Sequence, residues 1–362
     1  MDTSRLLDRC AAIQSIPSPT FAEGERAAVM AEYFRNAGLL EVGIDPVGNV
    51  YARRGSGPSP VVLAAHLDTV FPAGTDLGLI RERDRWTGPG VGDNALGLAA
   101  LAELADDLAR PEPDRAVWLV CTVGEEGLGN LCGMARVVER FGAAPLAYIA
   151  VEGMSLGYIY TRAFPVHRYR IQVEAPGGHA WIHGGRPSAA HLLMRMGGRL
   201  LDLPLSARPK TILNIGKISG GTGVNAIARQ AWMELEIRSE DGRRLTELSN
   251  RVLSVLHGPW PEDVEVETEL IGMRPSGAIT DDHPLVQAAC KVHQEVCGRP
   301  AQLTGGSTDA SLPLSLGYPA ICVGITTGGD AHTPKESIDL RPLASGYACL
   351  LRLVRELSTQ QG

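Results

Sequence analysis

The chain contains no Cys-x-x-Cys pair, no cationic run longer than two residues and no apolar stretch long enough to cross a bilayer, and each absence removes a class of function. Seven cysteines, an odd number, fit neither a disulfide framework nor a thiolate zinc site, so any metal must be held by His, Asp and Glu. With a formal net charge of −7, and Arg53-Arg54 and Arg243-Arg244 as the longest basic runs, nothing provides an electrostatic footprint for nucleic acid. A membrane span needs roughly 18–20 apolar residues, and the opening MDTSRLLDRCAAIQSI lacks the apolar core of a signal peptide. The expectation is a cytoplasmic protein that engages neither membrane nor nucleic acid. Internal repeats and low-complexity tracts are also missing.

What is present is an ordinary globular composition, 44% hydrophobic and 21% charged, in 362 residues, a length that favours two domains. Helical spacing over 2–14 and 23–37 precedes short strands at 41–44 and 49–53. The run VVLAAHLDTVF over 61–71 reads as a buried strand ending at His66 and Asp68. Residues 72–92 read as a loop, and 94–108 as a helix with Asp93 at or near its amino-terminal cap. Strands follow at 116–123 and 146–151. The pattern then changes to strand 168–174, helix 187–201, strands 211–218 and 231–238, helix 243–256 and strand 264–270, the βαββαβ order of a ferredoxin-like sandwich. Helix 284–296, strand 301–303, helix 310–316, strand 320–325 and a last helix within 343–357 complete the chain. The expected fold is α/β: a catalytic domain with a mixed central sheet (1–164 and 276–362), interrupted by a ferredoxin-like lid or dimerisation domain (165–275).

His66, Asp93, Glu125, Glu126, Glu152 and His332 each fall just past an apolar strand or in the loop after one. Open α/β sheets bind ligands at the carboxyl ends of their strands, so these residues converge on one crevice. Two histidines with Asp93, Glu126 and Glu152 supply a dinuclear metal site in which Asp93 bridges. Oxygen and imidazole donors suit two divalent ions, zinc first, with cobalt or manganese as alternatives. Glu125 is left over as general base for a water molecule, and Asp68 can orient the His66 ring.

The order His66-x-Asp68, Asp93, Glu125-Glu126, Glu152 and His332, with a βαββαβ insertion, resembles the dinuclear zinc metallopeptidase and deacylase family that includes acetylornithine deacetylase, succinyl-diaminopimelate desuccinylase, glutamate carboxypeptidase and peptidase T. The resemblance covers nearly the whole chain. It implies His66, Asp93 and Glu152 on one metal, Asp93, Glu126 and His332 on the other, Asp68 behind His66 and Glu125 as base. It also implies that His179 and Asn225 hydrogen-bond the scissile carbonyl, that Arg238 pairs with a substrate carboxylate, and that the inserted domains pair in a homodimer. Asn94 departs from the Asp or Met that many members carry there.

The expected activity is hydrolysis of an amide bond in a small peptide or N-acyl amino acid, of carboxypeptidase or deacylase type. Glu152 and Arg238 favour that reading, whereas Glu236-x-Arg238-Ser239 resembles the tripeptidase branch, which makes an aminopeptidase the alternative. A non-catalytic metal- or ligand-binding relative would have no use for Glu125. Gly153-Met154-Ser155-Leu156-Gly157 imitates a nucleophile elbow, but the β-branched and aromatic YIYTRAFPV that follows predicts strand where the elbow needs a helix. Gly88–Gly92 lacks the Walker lysine and dinucleotide spacing. In Gly305-Gly306-Ser307-Thr308-Asp309, a substrate-facing turn and a plain helix cap remain open.

Overall fold

The computed structural model describes residues 2–359, so residues 1 and 360–362 of the expected catalytic domain lie outside the described residues. Two compact units separate: one runs to Ala163 and resumes at Gly277, and the other is Phe164–Ser276.

The first unit is built on a mixed nine-stranded sheet. Its centre is three adjacent parallel strands, Val117–Thr122, Val61–His66 and Ala147–Glu152, followed by Ala320–Gly324, parallel to the last of them. Near-continuous apolar sequence suits strands covered on both faces, and every residue of Val61–His66 and Val117–Thr122 is buried. Antiparallel strands Val50–Arg54 and Leu40–Ile44 extend one side. Tyr158–Ala163 extends the other, antiparallel to Ala320–Gly324 and parallel to Gln302–Gly306. That Tyr158–Ala163 is a strand removes the helix a serine nucleophile at Ser155 would need.

One face is closed by the helix Leu96–Asp107, whose sequence LGLAALAELADD is buried from Leu96 through Ala105, its small glycine and alanine residues allowing close approach to the sheet. The helices Ser4–Gln14, Gly24–Asn36, Pro284–Cys297 and Leu343–Ser358 share that core. A helix at Cys132–Phe141 packs in the second apolar cluster, with Trp118, Tyr148 and Leu314. The sequence reading did not place it.

Residues 72–92 are not wholly loop. Ile80–Arg81 and Arg85–Thr87 pair with Ser337–Asp339 and Gly328–Gly329 in a separate four-stranded antiparallel sheet. Strands of two or three residues are too short to show periodicity, so tertiary pairing defines them.

The second unit has strand order Thr211–Gly220, Gln230–Ser239, Val166–Glu174, Glu265–Arg274, all neighbours antiparallel. Numbered along the chain this is 2-3-1-4, the ferredoxin-like arrangement that the βαββαβ order predicts. Alternate residues of Gln230–Ser239 are buried, so Met233, Leu235 and Ile237 meet Leu192, Met196, Leu245 and Val252 from the helices Ala189–Leu201 and Gly242–Leu256.

Candidate metal centre

Parallel register carries side chains to one sheet edge. His66 ends its strand directly opposite Thr122, and Glu152 ends its strand opposite Gly324. Past Thr122 the chain turns at Gly124, where φ is +60° and an added Cβ would collide with Cys132 Sγ. Only glycine suits that turn, and it delivers Glu125 and Glu126 back to the His66 side. Asp93 lies in the turn Val91–Ala95, with φ −115° and ψ 84°. It lies two residues before Ala95, the cap residue of the following helix, so it is near that cap as the sequence predicts, while its carboxylate faces the two histidines.

Asp93 is the hub. One of its oxygens, Oδ1, is 3.0 Å from His66 Nε2, and the other, Oδ2, is 3.1 Å from His332 Nε2. Glu152 Oε2 lies 3.6 Å from His66 Nε2, and Glu126 Oε1 lies 3.2 Å from His332 Nε2. Three sets have ligand atoms within 4.8 Å of one another: His66, Asp93 and Glu152; Asp93, Glu126 and His332; and His66, Glu125 and Glu126. All five sequence-predicted ligands and Glu125 therefore come together.

The donor set fits divalent cations. Two imidazoles face three converging carboxylates, and no cysteine belongs to any of the three sets. Burial pushes the Glu126 and Glu152 carboxyls up to about 7, with the charge of Asp93 adding to the push. Burial also opposes ionisation of Asp93, but hydrogen bonds to His332 and His66 overcome it and hold this carboxyl well below the usual range. Hydrogen bonds to Asp93 and Glu126 lift the His332 imidazole to about 10. For His66, burial works against the cation, yet Asp68, Asp93 and Glu152 outweigh it and raise its pKa. Such a cluster of acids asks for positive charge, which bound metals supply.

Asp68 is fully buried just beyond the strand, with Oδ1 3.6 Å from His66 Nδ1. His66 Nδ1 is also 3.0 Å from the Asp68 carbonyl oxygen, so a proton on Nδ1 leaves Nε2 as the ligand atom. The Asp68 carboxylate in addition accepts the backbone N–H groups of Glu125 at 3.0 Å and Glu126 at 2.9 Å, and the Thr20 hydroxyl at 2.8 Å.

Four residues take supporting roles that the sequence does not assign them. Arg26, fully buried, donates from Nη1 to the Leu67 carbonyl and from Nε to that of Ile16, pinning the turn between His66 and Asp68. Glu23 Oε1 accepts the Gly124 and Phe21 N–H groups. Glu336 Oε1 accepts the N–H groups of Gly92 and Asp93. Asp309 Oδ2 accepts the Thr122 hydroxyl at 2.5 Å, and burial, with the Glu125 charge, pushes this carboxyl up to about 7. Asp309 caps no helix, since the short helix Ser311–Ser315 has Ala310 as its cap residue. All four bind backbone or a buried hydroxyl, a role with no sequence spacing; only the glycine-rich turn before Asp309 gave a signal.

The second unit holds the remaining expected residues. Gly178–His179 pairs with Ala226–Ile227, and Ala180 N–H donates to the Asn225 carbonyl at 2.9 Å, so His179 and Asn225 are neighbours. His179 Nδ1 accepts N–H from Trp181 at 3.2 Å and Ile182 at 3.4 Å, which assigns the ring proton to Nε2. Arg238 Nη2 pairs with Glu236 Oε1 at 3.0 Å, while its Nε has no hydrogen-bond partner among the described residues.

The model of peptidase family M20/M25/M40 matches residues 62–356. The chain belongs to this family. It is a metal-dependent hydrolase of amide bonds, and Asp93 belongs to two of the three residue sets that could hold a divalent ion. An acetylornithine deacetylase from Photorhabdus laumondii is 25% identical over 336 residues, 86% of this chain and 85% of that one. Among solved structures, a tripeptidase from Staphylococcus aureus superposes with TM-score 0.79 at 23% identity, covering 99% of this chain and all of that one. A dinuclear metal-binding peptidase of the M20 family from Bacillus subtilis gives 0.65 at 18% identity, covering 98% of each. These structural likenesses concern the fold.

Proposed function

We propose that this enzyme hydrolyses the amide bond of an N-acyl amino acid or small peptide that carries a free carboxylate, as a deacylase or carboxypeptidase, with Glu125 as general base. The observation that carries the reading is Asp93, one oxygen toward His66 and the other toward His332, with Glu125 alongside. His66, Asp93 and Glu152 would hold one ion and Asp93, Glu126 and His332 the other, zinc being the choice that best suits mixed imidazole and carboxylate donors. When bound, such ions acidify water and polarise a carbonyl.

The chain's own residues do the rest. Glu125, its main chain fixed through Asp68, takes the proton of the attacking water and returns it to the departing amine nitrogen. The His179 Nε2–H and the Asn225 side chain donate to the carbonyl oxygen as negative charge builds on it. Arg238, with no hydrogen-bond partner for Nε among the described residues and Nη2 shared with Glu236, supports recognition of a substrate carboxylate. The resemblance in sequence to acetylornithine deacetylases supports the acyl-amino-acid branch. Among the described residues no helix is long and apolar enough to cross a membrane; a cytoplasmic homodimer paired through the second unit completes the proposal.

Zinc-loaded protein assayed against acetyl-, succinyl- and aminoacyl-amino acids tests this. Turnover of acyl amino acids that is lost when the carboxylate is amidated is the expected result. Turnover restricted to aminoacyl substrates with a free amine would make the enzyme an aminopeptidase instead.

A further inference from the structure

We infer that Glu336 is the positioning residue for Asp93: by taking two backbone N–H groups on one carboxylate oxygen, it sets the Asp93 side chain midway between His66 and His332. The inference rests on the proposed bridging role of Asp93. Glu336 is fully buried, 243 positions from Asp93, and its Oε1 accepts both the Gly92 and the Asp93 N–H at 2.8 Å. Two N–H groups donating to one buried carboxyl oxygen fix the backbone they belong to, since leaving either N–H unpaired would cost its full desolvation. Its main-chain carbonyl also accepts the Gly88 N–H at 2.8 Å, so one residue holds both ends of the 88–93 segment.

Three further observations separate this from ordinary packing. Glu336 and His332 share one loop, closed by the Glu336 N–H donating to the Thr333 carbonyl at 3.0 Å. That loop therefore determines both the backbone from which Asp93 projects and the imidazole that one of its oxygens meets. The turn is confined from the other side as well: a Cβ on Gly92 would meet Met154 Cγ at 2.6 Å and Ile338 Cγ2 at 3.0 Å. The second oxygen, Oε2, is buried with no hydrogen-bond partner among the described residues, which is costly for a side chain kept only as filler.

The test compares Glu336→Gln, which keeps an acceptor oxygen at the same reach, with Glu336→Asp, which withdraws it by one methylene, and Glu336→Ala. Zinc and cobalt binding is measured by calorimetry, with cobalt absorption spectra and melting temperatures alongside. Glu336→Asp and Glu336→Ala should weaken the weaker metal step about 10- to 100-fold and alter the cobalt spectrum, with kcat falling more than KM changes. Glu336→Gln should restore metal affinity to within a few-fold. If Glu336→Ala fails to fold, Glu336→Asp against Glu336→Gln decides. Wild-type metal affinity and spectrum in folded Glu336→Asp would overturn the inference, while a wild-type protein that binds no metal would overturn the proposed function itself.

A different observation carries a second proposal. Cys297, the last residue of the helix Pro284–Cys297, and Cys349 in the helix Leu343–Ser358 are both half-buried, with Sγ atoms 3.5 Å apart. We propose that they form a reversible disulfide site oxidised by a small disulfide such as oxidised glutathione. One cysteine sulfur attacks the small disulfide, releasing one reduced small thiol and leaving a mixed disulfide. The second cysteine sulfur attacks the protein sulfur of that bond, releasing the other, and each cysteine proton ends on a leaving thiolate. The bond would close a loop containing the Asp309 turn and the His332–Glu336 segment.

Treating the metal-loaded enzyme with oxidised glutathione, then digesting without reductant, should yield one Cys297–Cys349 crosslinked peptide that reductant removes. Melting temperature should rise by about 5–10 °C, and Cys297→Ser or Cys349→Ser should abolish the rise. Stable mixed disulfides without the crosslink, or equal linkage through half-buried Cys290, would overturn it.

Discussion

Asp68 and Glu125 are joined through the main chain: the Glu125 N–H donates to Asp68 Oδ1 at 3.0 Å, and the next N–H, of Glu126, donates to Oδ2 at 2.9 Å. One fully buried carboxylate thus orients a proposed metal ligand, His66, and the backbone bearing the proposed base. Asp68→Asn would present an amide N–H₂ where one of these N–H donors needs an acceptor. We expect kcat to fall roughly 10- to 100-fold, with metal affinity falling in the same range. Unchanged kcat with intact fold would show that Asp68 orients neither group.

The adjacent glutamates should separate by role. Glu125→Ala should keep its metals and lose at least about 10²–10⁴ in kcat, the usual contribution of a general base. Glu126→Ala should instead lose metal affinity, because its carboxylate faces His332 at 3.2 Å. Near-normal turnover in metal-loaded Glu125→Ala would require a different base.

Chelation should destabilise the protein. Removing cations leaves Asp93, Glu126 and Glu152 crowded together with little solvent, and a ligand that binds only the folded state stabilises it by about 2.7 kcal/mol at 100 times its Kd. Treatment with a chelator should lower the melting temperature reversibly, and excess zinc should restore it. An identical melting temperature with and without metal would mean that the cluster folds as readily empty.

His179 offers a test of the proposed dimer. Its Nδ1 is engaged by the Trp181 and Ile182 N–H groups, so Nε2–H is the donor available to a substrate oxygen. The family resemblance implies that this donor serves the partner's active site. Mixing inactive His179→Ala and Glu125→Ala should then regenerate one intact site per mixed dimer, up to about half the activity of wild-type dimer. Subunit exchange without recovery would place His179 in its own chain's chemistry or outside it.

The residues proposed as metal ligands were legible as a converging set because they follow elements that physics marks strongly. Val61–His66 and Ala147–Glu152 are apolar runs that must be buried, so a polar residue at the carboxyl end of each stands out. The βαββαβ unit was legible through its periodicity. Glu336, Arg26, Glu23 and Asp309 were not, because each acts on a backbone group or hydroxyl brought near by the fold, at separations from 10 to 244 residues apart from the local Glu23–Phe21 contact. Asp93 sits near a helix cap, as the sequence predicts, but its side-chain partners, His66 and His332, are tertiary and outweigh the local preference for capping.

The central claim is that Asp93 bridges two ions, and metal stoichiometry measured together with turnover tests it most directly. Apoprotein titrated with zinc, with bound metal quantified by elemental analysis and kcat followed at each step, should approach two equivalents per chain and reach full activity only near the second. A stable plateau at one equivalent with full activity would contradict the bridged site.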